Sequence, residues 1–156
     1  TSYPVLRTTN RKGLKINYIS TRQLPHDTLT EKRKTETGYI NISNPLLTAI
    51  DLISYEKKIG GLNRAATVIN DLTDAIKRND INEATIKYAT ASSLQRLGFI
   101  LEEILDKKEL AERLFSVSKK SGVKFYLIPL KASGEKNKNL INDKWKLMVN
   151  TEIEID

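Results

Sequence analysis

An α+β fold is predicted, on three observations. Apolar and polar residues alternate with period two near both ends of the chain, a helical period fills the middle, and the two patterns are segregated rather than interleaved. The expected architecture is a helical body of about five helices packed with a small antiparallel or mixed sheet from the N- and C-terminal strands. The 156 residues suit one domain, 1–156, since a single core at this size buries well over half of the unfolded chain's surface.

Taken in order, "LKINYIS" alternates Leu14, Ile16, Tyr18 and Ser20 with Lys15, Asn17 and Ile19, and Lys12-Gly13 upstream supplies a hairpin turn. "TGYINIS" sets Tyr39, Asn41 and Ser43 on one face and Ile40 and Ile42 on the other, and the polar "PHDTLTEKRKTE" between the two stretches reads as a loop. The period then changes. Ser43 or Asn44 caps a helix with Pro45 in its first turn, and Leu46, Leu47, Ile50, Ile53 and Ile59 fall near one face. Gly60 suits the left-handed position that closes this helix, and Gly61 turns the backbone without a Cβ clash. Asn63 is the expected N-cap of a second helix carrying Leu62, Ala66, Ile69, Leu72 and Ile76. A join this tight fixes an angle, so that the two apolar faces share one core.

"INEATIKYAT" supplies a short third helix. "SSLQRLGFILEEIL" carries the stripe Leu94, Leu97, Leu101, Ile104 and Leu105, and "KELAERLFSVSKK" ends in Lys119-Lys120 before Gly122, as suits a helix C-terminus. "VKFYLIPL" and "DKWKLMVN" read as strands separated by the polar loop "KASGEKNKNLIND". Gly98 lies inside a helical stretch, where glycine costs about 1 kcal/mol relative to alanine, and close helix packing is the expected compensation.

Composition restricts the chemistry. The chain is 39% hydrophobic and 29% charged and has no Cys and one His, so disulfides and thiolate metal sites are excluded and a Ser/His/Asp triad is left with His26 alone. His26 beside Asp27 in a polar loop reads as a surface residue. No apolar run approaches the ~18 residues of a membrane span, and a cytoplasmic location is expected. The chain opens Thr1-Ser2-Tyr3-Pro4 without Met or a secretion signal, and it reads as a piece of a longer protein.

The net charge of +7 is unevenly spread. Residues 1–43 carry eight Lys/Arg against three acids, residues 44–105 seven against eight, and residues 106–156 eleven against eight. Arg7, Arg11, Lys12, Lys15, Arg22, Lys32, Arg33 and Lys34 form the basic N-terminal end, either as a solvated surface or as phosphate contacts of a nucleic-acid-binding module. Asp51 with Glu56-Lys57-Lys58 resembles the metal-binding set of restriction-type nucleases. Those sets use a strand, whereas a helix turns Glu56 and Lys58 about 200° apart. A carboxylate within an apolar helical segment either stands exposed or meets an Arg or backbone amides, and Arg64 and Arg96 are the candidate arginines.

Three stretches together carry a resemblance: "TGYINISNPLLTAIDLISYEKKIGGLNRAATVINDL" (37–72), "LQRLGFILEEI" (94–104) and "DKWKLMVNTEIEID" (143–156). Their Thr-Ala-Ile-Asp-Leu helix, Gly-Gly-Leu join and Gln-Arg-Leu-Gly-Phe helix resemble the C-terminal domain of AbiEi-type antitoxins of type IV toxin–antitoxin, abortive-infection systems. That resemblance implies a transcriptional-regulator and antitoxin domain that counteracts a cognate nucleotidyltransferase-like toxin, with or without a stable complex. It also implies a winged helix-turn-helix upstream that binds operator DNA, assisted by the basic surface here. It implies no catalytic residues, cofactor or metal. Asp51, Gly60, Gly61, Leu62, Arg64, Gln95, Arg96, Gly98 and Trp145 are carried over as architectural or interaction positions. A degenerate restriction-endonuclease-like domain is the remaining alternative.

Overall fold

A computed structural model describes residues 6–21, 24–133 and 140–155. The described residues begin with two antiparallel hairpins. Strands β1 (Thr9–Arg11) and β2 (Leu14–Ile16) meet at Lys12 and Gly13, whose φ angles of 49° and 80° form the turn that matches the natural twist of a hairpin. Strands β3 (Thr30–Thr35) and β4 (Gly38–Ser43) form the longer ribbon, so the second half of the stretch expected as a loop is a strand. Its alternation was hidden because Glu31, Lys32, Arg33 and Lys34 are all exposed and no apolar period exists to be read.

The ribbon is clamped at its root. Leu29, in a short 3₁₀ turn at Asp27–Leu29, is fully buried, its carbonyl accepts from Asn44 N at 2.9 Å, and Ser43 and Thr48 share a 2.7 Å hydroxyl hydrogen bond.

Asn44 then starts helix α1 (Pro45–Ser54), its side chain accepting from Leu47 N at 2.8 Å. Leu46, Leu47, Ala49, Ile50 and Ile53 are buried. The helix breaks at Tyr55, earlier than the periodicity implies, and a single turn, α2 (Glu56–Ile59), follows with no fully buried side chain. Gly60 closes it in the left-handed conformation, and Gly61 adopts φ 96°, ψ −177°, a region open essentially to glycine alone. Helix α3 (Leu62–Leu72) therefore begins directly after Gly61, and Asn63, expected as its cap, lies in the first turn. Ala65, Ala66 and Ile69 of α3 join Ile50 and Ile53 of α1 in one core cluster, and the small alanines let the two helices approach.

Helix α4 (Glu83–Tyr88) is capped by Asn82, and α5 (Ala91–Phe99) by Thr90. A π-helical segment, Ile100–Ile104, continues α5 before α6 (Lys108–Lys120). The C-terminal strands β5 (Ile128–Pro129), β6 (Ile141–Asn142) and β7 (Leu147–Met148) form a mixed sheet, β5 parallel and β6 antiparallel to β7. The fold is thus α+β, with six helices and its strands divided among two hairpins and this sheet among the described residues.

Candidate functional site: the helical signature and the basic hairpins

The signature residues separate into two neighbourhoods. The first lies along α1. Asp51 is half-buried, and Tyr88 Oη on α4 donates to its Oδ1 at 2.9 Å. Burial pushes the Asp51 carboxyl above its ordinary range, against the opposing effect of the Tyr88 hydrogen bond. Burial together with the neighbouring carboxylate pushes the Tyr88 phenol well up, so it stays a donor. The arginines expected to partner Asp51 do other things. Arg64 is exposed on α3 and lays its side chain over Gly60, and Arg96 donates from Nη2 to Pro129 O at 3.1 Å while burial lowers its pKa.

Asp51, Tyr55, Tyr88, Ser54, Ser93 and Arg96 line an open cleft of about 480 Å³. Lys58 Nζ sits 5.7 Å from the Tyr55 ring centroid, and no group of three metal-ligating side chains gathers among the described residues.

The second neighbourhood is a lock that holds the C-terminal segment. Gln95 is buried, and its Nε2 reaches Tyr126 O at 2.8 Å, Trp145 O at 2.7 Å and Lys146 O at 3.2 Å, so two N–H groups serve three carbonyls. Gly98 faces the Trp145 indole, where a methyl group would overlap ring atoms Cη2, Cζ3 and Cζ2. Close approach does explain this glycine, but the neighbour is a tryptophan from the C-terminal segment, not another helix. Trp145 is fully buried, and its Nε1 donates to Glu102 Oε2 at 2.6 Å. Its ring meets Phe115 edge-on at 5.3 Å and lies 5.9 Å from Phe125. Lys144 Nζ bridges Glu102 Oε1 at 2.6 Å and Glu112 Oε2 at 2.9 Å.

The lock also explains the short C-terminal strands. Tyr126 O is taken by a side chain instead of a ladder partner, and Lys146 adopts φ 52°, so only two residues of each expected strand pair regularly. Glu102 and Tyr88 were missed in the sequence. Glu102 had a signal: Gln95, Gly98 and Glu102 follow one another at spacings of three and four and mark one helical face. Tyr88 had none.

The basic residues are separate from both neighbourhoods. Arg7, Arg11, Lys12 and Lys15 are exposed on and beside the first hairpin, and Lys32, Arg33 and Lys34 are exposed on β3. Arg22 lies outside the described residues. Exposed Arg33 pairs with Glu31 at 2.9 Å. His26 Nδ1 accepts from Thr28 N at 3.2 Å and helps to shape the turn before β3.

A family model described as the AbiEi antitoxin C-terminal domain matches residues 7–103. No curated protein and no solved structure matches the chain. The matched span contains both hairpins, the α1–α3 pair and the Gln95–Gly98–Glu102 face, and leaves outside it the C-terminal segment on which that face closes.

Proposed function

Because the chain belongs to the AbiEi antitoxin C-terminal domain family, we propose that it is the antitoxin part of a type IV, phage-resistance system. In this reading it counteracts a cognate nucleotidyltransferase-like toxin and performs no bond chemistry of its own. Family membership carries this reading. Asp51 is bonded to Tyr88 and Lys58 lies over the Tyr55 ring, partners that support a structural and contact role for this stretch over a nuclease role. We place the domain at 1–156 in the bacterial cytoplasm, downstream of a winged helix-turn-helix. No described helix is long and apolar enough to cross a membrane. Co-expression with the toxin encoded beside it tests the reading: growth is restored in cells making this chain, and failure to restore growth while the chain accumulates folded overturns it. Mg²⁺-dependent cleavage of DNA that is abolished by Asp51→Ala would instead establish the nuclease alternative.

A second reading, that the domain assists operator binding, is favoured by the gathering of seven described cations on and beside two exposed hairpins. Such a surface releases counterions from DNA, so affinity falls steeply as salt rises. A salt-insensitive or undetectable interaction with operator duplex removes this reading.

A further inference from the structure

The β3–β4 ribbon has a sidedness that the charge count conceals. Paired residues of an antiparallel ladder project to the same face. The register sets Lys32 opposite Asn41 and Lys34 opposite Tyr39 on one face, and Glu31 opposite Ile42 and Arg33 opposite Ile40 on the other. The carboxylate that β3 carries is therefore on the second face, already paired with Arg33, while the Lys32/Lys34 face holds two lysines, an amide and a phenol with no acid from either strand. Glu36 sits in the turn at the tip. Every residue of β4, and every β3 residue from Glu31 to Lys34, is exposed, with Tyr39 at 71%.

Lysines on an unpaired strand also deter edge-to-edge aggregation, which requires only scattered charge. Sorting by face goes further than that. A two-stranded ribbon gains little stability by itself, and this one is held at its root by Leu29 and Asn44 while its outer length is uncovered. Six residues per strand extend about 20 Å, and two strands with their side chains are about as wide as the ~12 Å major groove of B-form DNA. The deep, narrow groove of A-form RNA does not admit such a ribbon.

We propose that the ribbon from the Lys32–Asn41 pair out to its tip enters the major groove of duplex DNA. Its Lys32/Lys34/Asn41/Tyr39 face is toward the base edges. Lys32 and Lys34 donate to guanine O6 and N7, and Asn41 pairs with adenine N6 and N7, as their donor and acceptor sets suit. Arg11, Lys12 and Lys15 of the first hairpin add phosphate contacts without reading sequence. This rests on the operator-assisting reading above and extends it by assigning the element, the face and the groove.

The test uses the 156-residue chain with a fluorescein-labelled, mixed-sequence duplex of about two helical turns, and with a hairpin RNA of equal length. Binding is followed by anisotropy across a salt series, and groove occupancy by dimethyl sulfate attack at guanine N7 in the major groove and adenine N3 in the minor groove. Guanine N7 protection is expected. The Lys32→Ala/Lys34→Ala variant should lose that protection and bind about tenfold or more weakly, while Arg11→Ala/Lys12→Ala/Lys15→Ala should bind more weakly with protection kept. Salt-dependent binding with adenine N3 protection, or with no protection, overturns groove entry and leaves DNA contact standing. So does unchanged affinity in the Lys32/Lys34 variant. Tighter binding to the hairpin RNA overturns the choice of duplex DNA. No binding at low salt by a chain whose circular dichroism is native overturns both readings together.

Discussion

Replacing Gly98 by alanine is the sharpest probe of the C-terminal lock. The new methyl overlaps three atoms of the Trp145 ring, and Trp145 is fully buried, so the indole has no solvent side to retreat to. Its shift strains the packing with Phe115 and Phe125 and pulls Nε1 from Glu102 Oε2, now 2.6 Å away. Overpacking a core costs about 1–3 kcal/mol, and losing a hydrogen bond to a charged group about 1.5–3 kcal/mol. Against these, alanine in a helix gains about 1 kcal/mol over glycine. The expected net loss is about 3 kcal/mol, or about 6–12 °C in Tm for a domain of this size. Urea unfolding followed by far-UV circular dichroism measures it, a signal that survives removal of Trp145, the chain's one tryptophan. The cycle with Trp145→Ala decides the cause: that change alone costs about 3–5 kcal/mol, and in its background Gly98→Ala becomes neutral or stabilising. If Gly98→Ala is as stable as the parent, or costs as much without the indole as with it, the lock is wrong.

Gln95→Ala strips the donor from three backbone carbonyls, and a loss of about 2–4 kcal/mol with faster amide exchange around residues 126 and 145–147 is expected from thermal unfolding and exchange mass spectrometry. Gly61→Ala meets no atom within 4 Å, so its cost of about 1–3 kcal/mol comes from the backbone conformation alone; an unchanged denaturation midpoint would contradict the φ of 96°. Asp51 has its carboxyl pKa raised by burial, so the folded state binds the proton more tightly than the unfolded chain. The sign follows: stability falls as pH rises from the ordinary carboxylate range through the folded value, and Asp51→Asn removes that fall and is the more stable variant at neutral pH. Tm measured against pH for both proteins checks it, and a parent protein that gains stability over this interval through Asp51 would reverse the assignment.

What the sequence made legible depended on whether a pattern was periodic or pairwise. The helices of the body were readable because Leu46, Leu47, Ile50 and Ile53, and likewise Leu94, Leu97 and Leu101, repeat at helical spacing and are all buried. The double glycine was readable as a join because both residues take positive φ. Strand β3 was not readable, since no buried face gave it a period. The Tyr88–Asp51 bond and the Trp145–Glu102 bond link residues 37 and 43 positions apart, and nothing local to either end specifies the other. Charge alone points to Arg64 and Arg96 as partners of Asp51. In the fold, a neutral donor meets a carboxylate whose burial already disfavours its charge.

The arrangement separates stability from contact, and that separation makes functional effects interpretable. The burial of the body is shared by helices α1, α3, α4, α5 and α6 and by the C-terminal segment that carries Trp145, whereas Lys32, Lys34, Arg11, Lys12 and Lys15 are exposed and lie outside that core. Surface substitutions of this kind usually move stability by less than about 0.5 kcal/mol. A hairpin variant that loses a binding activity while keeping its Tm has therefore lost a contact. A variant at Gly98, Gln95 or Trp145 that loses activity together with Tm has lost the scaffold, and says nothing about where the partner docks. The root of the ribbon falls between these cases: Leu29 is fully buried, and Asn44 caps α1 with its side chain while its backbone N donates to Leu29 O, so Asn44→Ala removes the cap and keeps the bond that ties the ribbon to the helix. Loss of the cap alone costs about 1 kcal/mol. Asn44→Ala should therefore lower the denaturation midpoint by that cost and leave the ribbon attached, and a variant whose midpoint is unchanged would show that the Asn44 side chain does not cap α1.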